Sequence, residues 1–257
     1  MIMKTGILIT ARLGSVRLKH KHLLKIKDKA IIVYLIQRIQ KCFEKEIAEG
    51  TVEIIIATSK KAENRAFNEL DCKGVSVFWG SDDNIPLRHL QTAQQHHLDY
   101  LIAVDGDDIL CSVHGMRKVF NALLNGHIYV KTTDLPFGMN SMGYSRIFLE
   151  KSLFNHRNDL LETGWGRIFD DNQVREIPVA LSQNSNKLRF TLDYEEDFIF
   201  FKEIIEYLGD SILDISDEEL VNQVMKRKLY RFNESIADEY WANFNLNMQK
   251  EVQKNES

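Results

Sequence analysis

Short apolar runs alternate with segments of helical period through the first half of the chain. Gly6-Ile7-Leu8-Ile9-Thr10 reads as a buried strand. From about Lys29 to Phe43 the residues Ile32, Leu35, Ile36 and Ile39 recur on one face, which predicts a helix. Val52 to Ala57 predicts a second strand, Ala62 to Leu70 a helix, and Val75 to Trp79 a third strand. Then come a helix from Ile85 to His97, a fourth strand from Tyr100 to Val104, and a helix from His114 to Leu124. Alternation of this kind predicts an α/β fold, a mostly parallel, Rossmann-like sheet with helices on both faces. Ligands bind such sheets beyond the carboxyl ends of the strands. Here those ends are Thr10-Ala11-Arg12, Ala57-Thr58-Ser59, Gly80-Ser81-Asp82-Asp83 and Asp105-Gly106-Asp107-Asp108.

The second half is less regular. Pro136, Gly138 and Gly143 mark a loop-rich stretch. Val174 to Val179 and Leu188 to Leu192 predict strands, and Glu195 to about Leu208 a helix. Ser216-Asp217-Glu218-Glu219 reads as a capping box opening another helix, and about Ser235 to Val252 is amphipathic. No clear linker interrupts the chain. The expectation is one domain over residues 1–257 with a substrate-binding insertion. Residues 1–125 would form a nucleotide-binding half, 126–210 a sugar-binding and metal-completing half, and 211–257 C-terminal helices.

Composition narrows the classes. Hydrophobic residues make up 44% and charged residues 27%, as in a soluble globular protein. The apolar runs are too short to span a bilayer, and no signal-peptide pattern opens the chain. Cys42, Cys72 and Cys111 stand far apart and predict reduced thiols, which with the rest fits the cytoplasm. A net charge of −4 argues against nucleic acid as a partner. Lys and Arg nevertheless crowd the stretch from Arg12 to Lys29 against one acid, Asp28, which suggests a small polyanionic ligand.

That basic stretch follows the first strand directly. Gly14 and Ser15 permit a tight turn whose N–H groups can face an anion, and Arg12, Arg17 and Lys21 add fixed charge suited to a triphosphate. Solvated surface charge is the alternative reading. The loop is not a Walker loop. Its pattern, Ala11-Arg12-x-Gly14-Ser15-x-Arg17-Leu18-x-x-Lys21-x-Leu23, resembles the signature loop of the cytidylyltransferases that make CMP-activated sugars, above all the spore-coat-polysaccharide type. CMP-Kdo and CMP-acylneuraminate synthetases are more distant. Lys19-His20 stands where that family usually has Pro-Gly.

Two acidic sites extend the resemblance. Gly106-Asp107-Asp108-Ile109-Leu110 resembles the family's Gly-Asp-x-Pro-Leu, and Leu192-Asp193-Tyr194-Glu195-Glu196-Asp197 resembles its Leu-Asp-Thr-Pro-Glu-Asp. The resemblance implies a nucleotide-diphospho-sugar transferase type of fold with Asp107 and Asp193 as ligands of Mg²⁺, which takes oxygen donors and is usually held by one or two carboxylates plus phosphate. It implies a nucleotide site of Ala11, Arg12, Gly14, Ser15, Arg17, Lys21 and Asp107, with Arg12, Lys21 and Asp107 catalytic. Asp105 and Asp108 are read as helix-capping or turn-holding residues.

The expected sugar-side positions diverge. Gly80 to Arg88 resembles a family segment ending in arginine, so Arg88 is a candidate substrate contact. Trp165 and Arg167 are candidates for gripping a sugar face and a carboxylate, with packing as the alternative for both. The expected function is transfer of CMP from CTP to a sugar or sugar-acid hydroxyl, with release of pyrophosphate. Homodimerisation is implied by the resemblance alone. Two other readings stay open. Asp105-Gly106-Asp107 is also the Asp-x-Asp of glycosyltransferases using nucleotide-sugar donors, and the altered motif positions allow a non-catalytic nucleotide-binding descendant.

Overall fold

The computed structural model describes residues 3–70, 72–156, 160–182, 185 and 187–256. Its strands are β1 (Thr5–Thr10), β2 (Lys25–Ile26), β3 (Lys29–Ala30), β4 (Val52–Ser59), β5 (Val75–Gly80), β6 (Tyr100–Asp105), β7 (Tyr129–Thr133), β8 (Met142–Ser145) and β9 (Arg175–Pro178). Seven form one sheet in the order β5-β4-β1-β6-β8-β7-β9, while β2 and β3 make a small antiparallel pair. Only β8 runs against its neighbours in the main sheet. Among the described residues eight α-helices form: α1 (Ile31–Cys42), α2 (Glu44–Ala48), α3 (Ile85–His96), α4 (Val113–Leu124), α5 (Arg146–Asn155), α6 (Glu195–Leu208), α7 (Asp217–Arg227) and α8 (Ala237–Glu256).

Alternation along the central strands explains why both faces of the sheet are covered. Ile7, Ile9, Ile54, Ile56, Ile102 and Val104 pack with Leu35, Ile39 and Met116 of α1 and α4. Their neighbours Leu8, Ile55, Ala57, Leu101 and Ala103 pack on the other side with Ala93 and Phe148 of α3 and α5. A strand buried on both faces reads as an unbroken apolar run, as β1 and β4 do. A third cluster joins α6 and α7 to Leu188, Phe190 and Leu192. Among the described residues no helix is long and apolar enough to cross a membrane.

Three predicted elements differ. Ala62–Glu69 is 3₁₀-helical rather than α-helical. Its Asn64 side chain turns inward, donating to Ser59 O and accepting from Leu13 N–H at 2.8 Å. Leu188 to Leu192 makes no strand. Arg189 forms only an isolated bridge to Phe137, and the segment is held by burial of Leu188, Phe190 and Leu192. An apolar alternation can bury against helices without finding a ladder partner. The predicted helix at Lys29 begins at Ile31, because Lys29 and Ala30 pair with β2.

The Lys19-His20 departure has a backbone consequence. His20 adopts φ 52°, ψ 30°, the left-handed region that favours glycine. His20→Gly is expected to raise unfolding stability by about 0.5–1 kcal/mol, since left-handed backbone costs a side-chain-bearing residue roughly 1–2 kcal/mol and glycine returns part of that as chain entropy. Urea unfolding that shows a loss would contradict this.

Candidate active site

The register of the parallel strands brings Thr10, Ala57 and Asp105 to one edge. A cleft of about 530 Å³ opens there, lined by the basic loop, Asp105, Asp107, Glu162, Trp165, Asp193 and part of α8. Gly106 lets the Asp107 turn approach the basic loop. A Cβ there would lie 2.9 Å from Ala11 Cβ and 3.0 Å from Thr10 O, and its own N–H donates to Thr10 O at 2.7 Å.

Lys21 is the centre of the site. Its buried ammonium donates to Asp107 Oδ2 at 2.6 Å and to Asp193 Oδ1 at 3.0 Å. Asp107 and Asp193, 86 residues apart in number, therefore meet on one positive centre. Arg17 Nη2 also donates to Asp193 Oδ1 at 2.9 Å, and its guanidinium lies 5.0 Å from the Tyr194 ring centroid. His22 Nε2 lies 2.7 Å from Asp107 Oδ1. Arg12 is half-exposed and pairs with Glu162 across the cleft.

The Asp193 end is braced from beneath. Arg189 donates to Asp193 Oδ2 at 3.0 Å and to both Asp197 oxygens, at 2.9 and 3.1 Å. Asp197 is fully buried and also accepts from Asp193 N–H, Tyr194 N–H and Asn233 Nδ2. Sequence reasoning places Asp197 only within the Leu192–Asp197 motif and misses Arg189. Their signal was spacing, since Arg189 precedes Asp193 by four residues and Asp197 follows it by four.

Electrostatics sort the carboxyls. Burial alone would lift the Asp107 pKa, but the Lys21 ammonium and the His22 hydrogen bond outweigh it and hold the group well below the usual range. Burial opposes charge on Lys21 as well, yet Asp107 and Asp193 more than offset it and raise its pKa. Asp105 opens to the cleft but sits at a floor surrounded by protein. That confinement, with Asp107 beside it, pushes its carboxyl up.

The sequence reading of several residues needs correction. Asp105 caps no helix. Its carbonyl does hold the turn, accepting from Asp108 N–H at 3.0 Å, but the residue also lines the cleft, and Ser112 caps α4 instead. Arg88 reaches the cleft wall, but its guanidinium is 1% exposed and tied to Ser81 O, Asp82 O and, at 3.6 Å, Glu162. Arg167 does not line the cleft. It donates to the carbonyls of Leu160, Thr163 and Gly164 and pairs with Glu251, so the loop's own backbone consumes it. Trp165 does line the cleft, packed edge-on against His89 at 5.2 Å.

His89 supports the floor. It hydrogen-bonds Thr10 Oγ1 at 2.7 Å and the Tyr144 hydroxyl at 2.6 Å. Burial holds the imidazole neutral, its pKa pushed from 6.5 down to about 3. An unfolded chain binds this proton near pH 6.5 and the native chain only near 3, so the unfolded state holds more protons between those values. Stability from this group is complete above pH 6.5 and falls as pH drops towards 3. In urea unfolding at pH 7 and pH 5, the native chain should lose about 2 kcal/mol more than His89→Gln. Equal losses would contradict a neutral buried imidazole.

The mostly parallel sheet, with a basic turn and converging carboxylates at its carboxyl edge, matches the fold of solved nucleotidyltransferases. The sequence pattern of the cytidylyltransferase family matches residues 6–219, and the chain belongs to that family. An uncharacterised protein of Methanocaldococcus jannaschii is 28% identical over 242 residues, 87% of this chain and 96% of that one. A cytidylyltransferase of Leptospira borgpetersenii serovar Hardjo-bovis superposes with a TM-score of 0.77 at 24% identity, covering 90% of this chain and 98% of that one. CMP:2-keto-3-deoxy-manno-octonic acid synthetase, solved with CTP, superposes with a TM-score of 0.56 at 15% identity, covering 79% and 99%. The protein is thus similar to enzymes that use CTP.

Proposed function

We propose that this cytidylyltransferase transfers CMP from CTP to a hydroxyl of a sugar-type acceptor. The observation that carries the reading is the meeting of Asp107 and Asp193 on the Lys21 ammonium, beside Arg12 and Arg17, in one cleft. The acceptor oxygen forms a bond to the α-phosphorus as the bond to the bridging oxygen breaks. Pyrophosphate leaves with that electron pair, and the hydroxyl proton passes to water in the cleft. Arg12, Arg17 and Lys21, with the backbone from Ala11 to Ser15, hold the phosphates and stabilise charge on the leaving group. Positioning supplies most of the remaining rate, with no protein nucleophile.

The donors suit Mg²⁺. Asp107 and Asp193 offer oxygen only, and they already converge on a positive centre. Among the described residues no group of three or more His, Cys, Asp or Glu side chains could hold a metal alone. That matches an ion completed by substrate phosphates rather than a protein cage. When bound, the ion supplies charge neutralisation at the phosphates. Family membership favours this reading over a glycosyltransferase or an inert descendant.

The test is pyrophosphate release from CTP with Mg²⁺ across a panel of sugars, beside calorimetry of CTP binding. CTP that neither binds nor turns over would end the proposal.

A further inference from the structure

Helix α8 lies beyond the residues matched by the family pattern, yet it forms one wall of the cleft. Its polar residues Glu239, Asn243, Asn247, Glu251 and Asn255 recur every fourth position and so form a stripe that winds slowly round the helix. The last two clamp the helix to the loop that carries Trp165. Glu251 accepts from Thr163 N–H at 2.8 Å and from Glu162 N–H at 3.3 Å. Asn255 accepts from Leu160 N–H at 3.1 Å and donates to Leu160 O at 2.9 Å. The first three residues of the stripe face the cleft. Asn243 donates to the Tyr194 hydroxyl at 3.0 Å, while Glu239 and Asn247 are exposed with no hydrogen-bond partner among the described residues.

Cations on this side are already spent. Arg88 and Arg167 are bound by backbone carbonyls and by Glu162 and Glu251, and Arg189 lies between Asp193 and Asp197. Arg12 and Arg17 belong to the phosphate side in the reading above. A carboxylate on the acceptor would therefore meet Glu239, and the half-exposed guanidinium of the cleft, Arg12, is already paired with Glu162. A hydroxyl-rich neutral molecule meets what it needs. Glu239 accepts hydroxyl hydrogens, and the Asn247 amide both donates and accepts.

Resting on the transferase reading, we infer that the acceptor is an uncharged polyhydroxyl compound, a polyol or neutral sugar, whose hydroxyls are read by Glu239 and Asn247 of α8. The same wall disfavours a sugar acid. Both residues are exposed, so replacing them leaves the fold intact.

The experiment uses the full chain with CTP and Mg²⁺ and reads pyrophosphate release with paired acceptor probes, ribitol beside ribonate and glucose beside glucuronate, after CTP binding is measured by calorimetry. The expected result is a kcat/KM at least about tenfold higher for the neutral member of a pair. Glu239→Gln and Asn247→Ala should each raise the acceptor KM by about tenfold and leave the KM for CTP within about twofold. Glu239→Lys should narrow the gap between pair members. Equal or faster turnover of the acids overturns the inference. So does an unchanged acceptor KM in both variants, or CTP that binds while no neutral probe releases pyrophosphate. Absence of CTP binding instead removes the transferase reading, and the acceptor inference goes with it.

Discussion

Asp107→Asn is expected to lower kcat for CTP-dependent pyrophosphate release by on the order of 10²–10³-fold, the scale of losing one preorganised charge contact to the reacting phosphates. The native carboxylate touches both Lys21 Nζ and His22 Nε2. Asparagine keeps the shape and one acceptor oxygen but removes the charge that a divalent ion would need. Lys21 would then turn towards Asp193 alone. The KM for CTP should change much less than kcat, because the arginines and loop amides still hold the triphosphate. Steady-state kinetics with Mg²⁺, beside a thermal melt showing a folded variant, make the check. Full turnover by the variant would remove Asp107 from the chemistry.

Asp197→Ala should cost about 3–5 kcal/mol of stability, the range for breaking a buried ion pair by deleting one partner. Five hydrogen bonds reach this carboxylate, two from the Arg189 guanidinium, two from backbone N–H groups and one from Asn233. Removing it leaves Arg189 buried with Asp193 as its remaining carboxylate partner. Guanidinium-chloride unfolding measures the loss. Asp197→Asn should cost less, since an amide still accepts one or two of these hydrogen bonds. A variant as stable as the native chain would show that α6 does not depend on this hub.

Much of the fold was legible because β1, β4, β5 and β6 are apolar runs bounded by helical periods, and such a pattern has few arrangements. The cleft's position followed, since loops at the carboxyl ends of parallel strands gather at one edge. What stayed hidden depends on contacts between distant segments. β7 and β8 are short and mixed in polarity, so neither showed as a run. Leu188 to Leu192 has the alternation of a strand, but whether a partner ladder exists is decided elsewhere in the chain. Arg167 could be seen as a free cation only until the backbone carbonyls around it were placed. The α8 stripe was visible as amphipathicity, but not which of its two ends would clamp and which would face a ligand.

Strand β8 runs against its neighbours, with Met142 opposite Ala103 at the end where β6 gives way to Asp105. Turning one strand around delivers its leading connection, residues 134–141, to the same rim as the loops that line the cleft. Asn140 and Ser141 line a smaller hollow there with Asp105 and Trp165. Loop insertions on this stretch would reshape the rim while the basic loop after β1 stays in place. The inverted strand thus gives the lineage a place to vary what it modifies without disturbing how it does so.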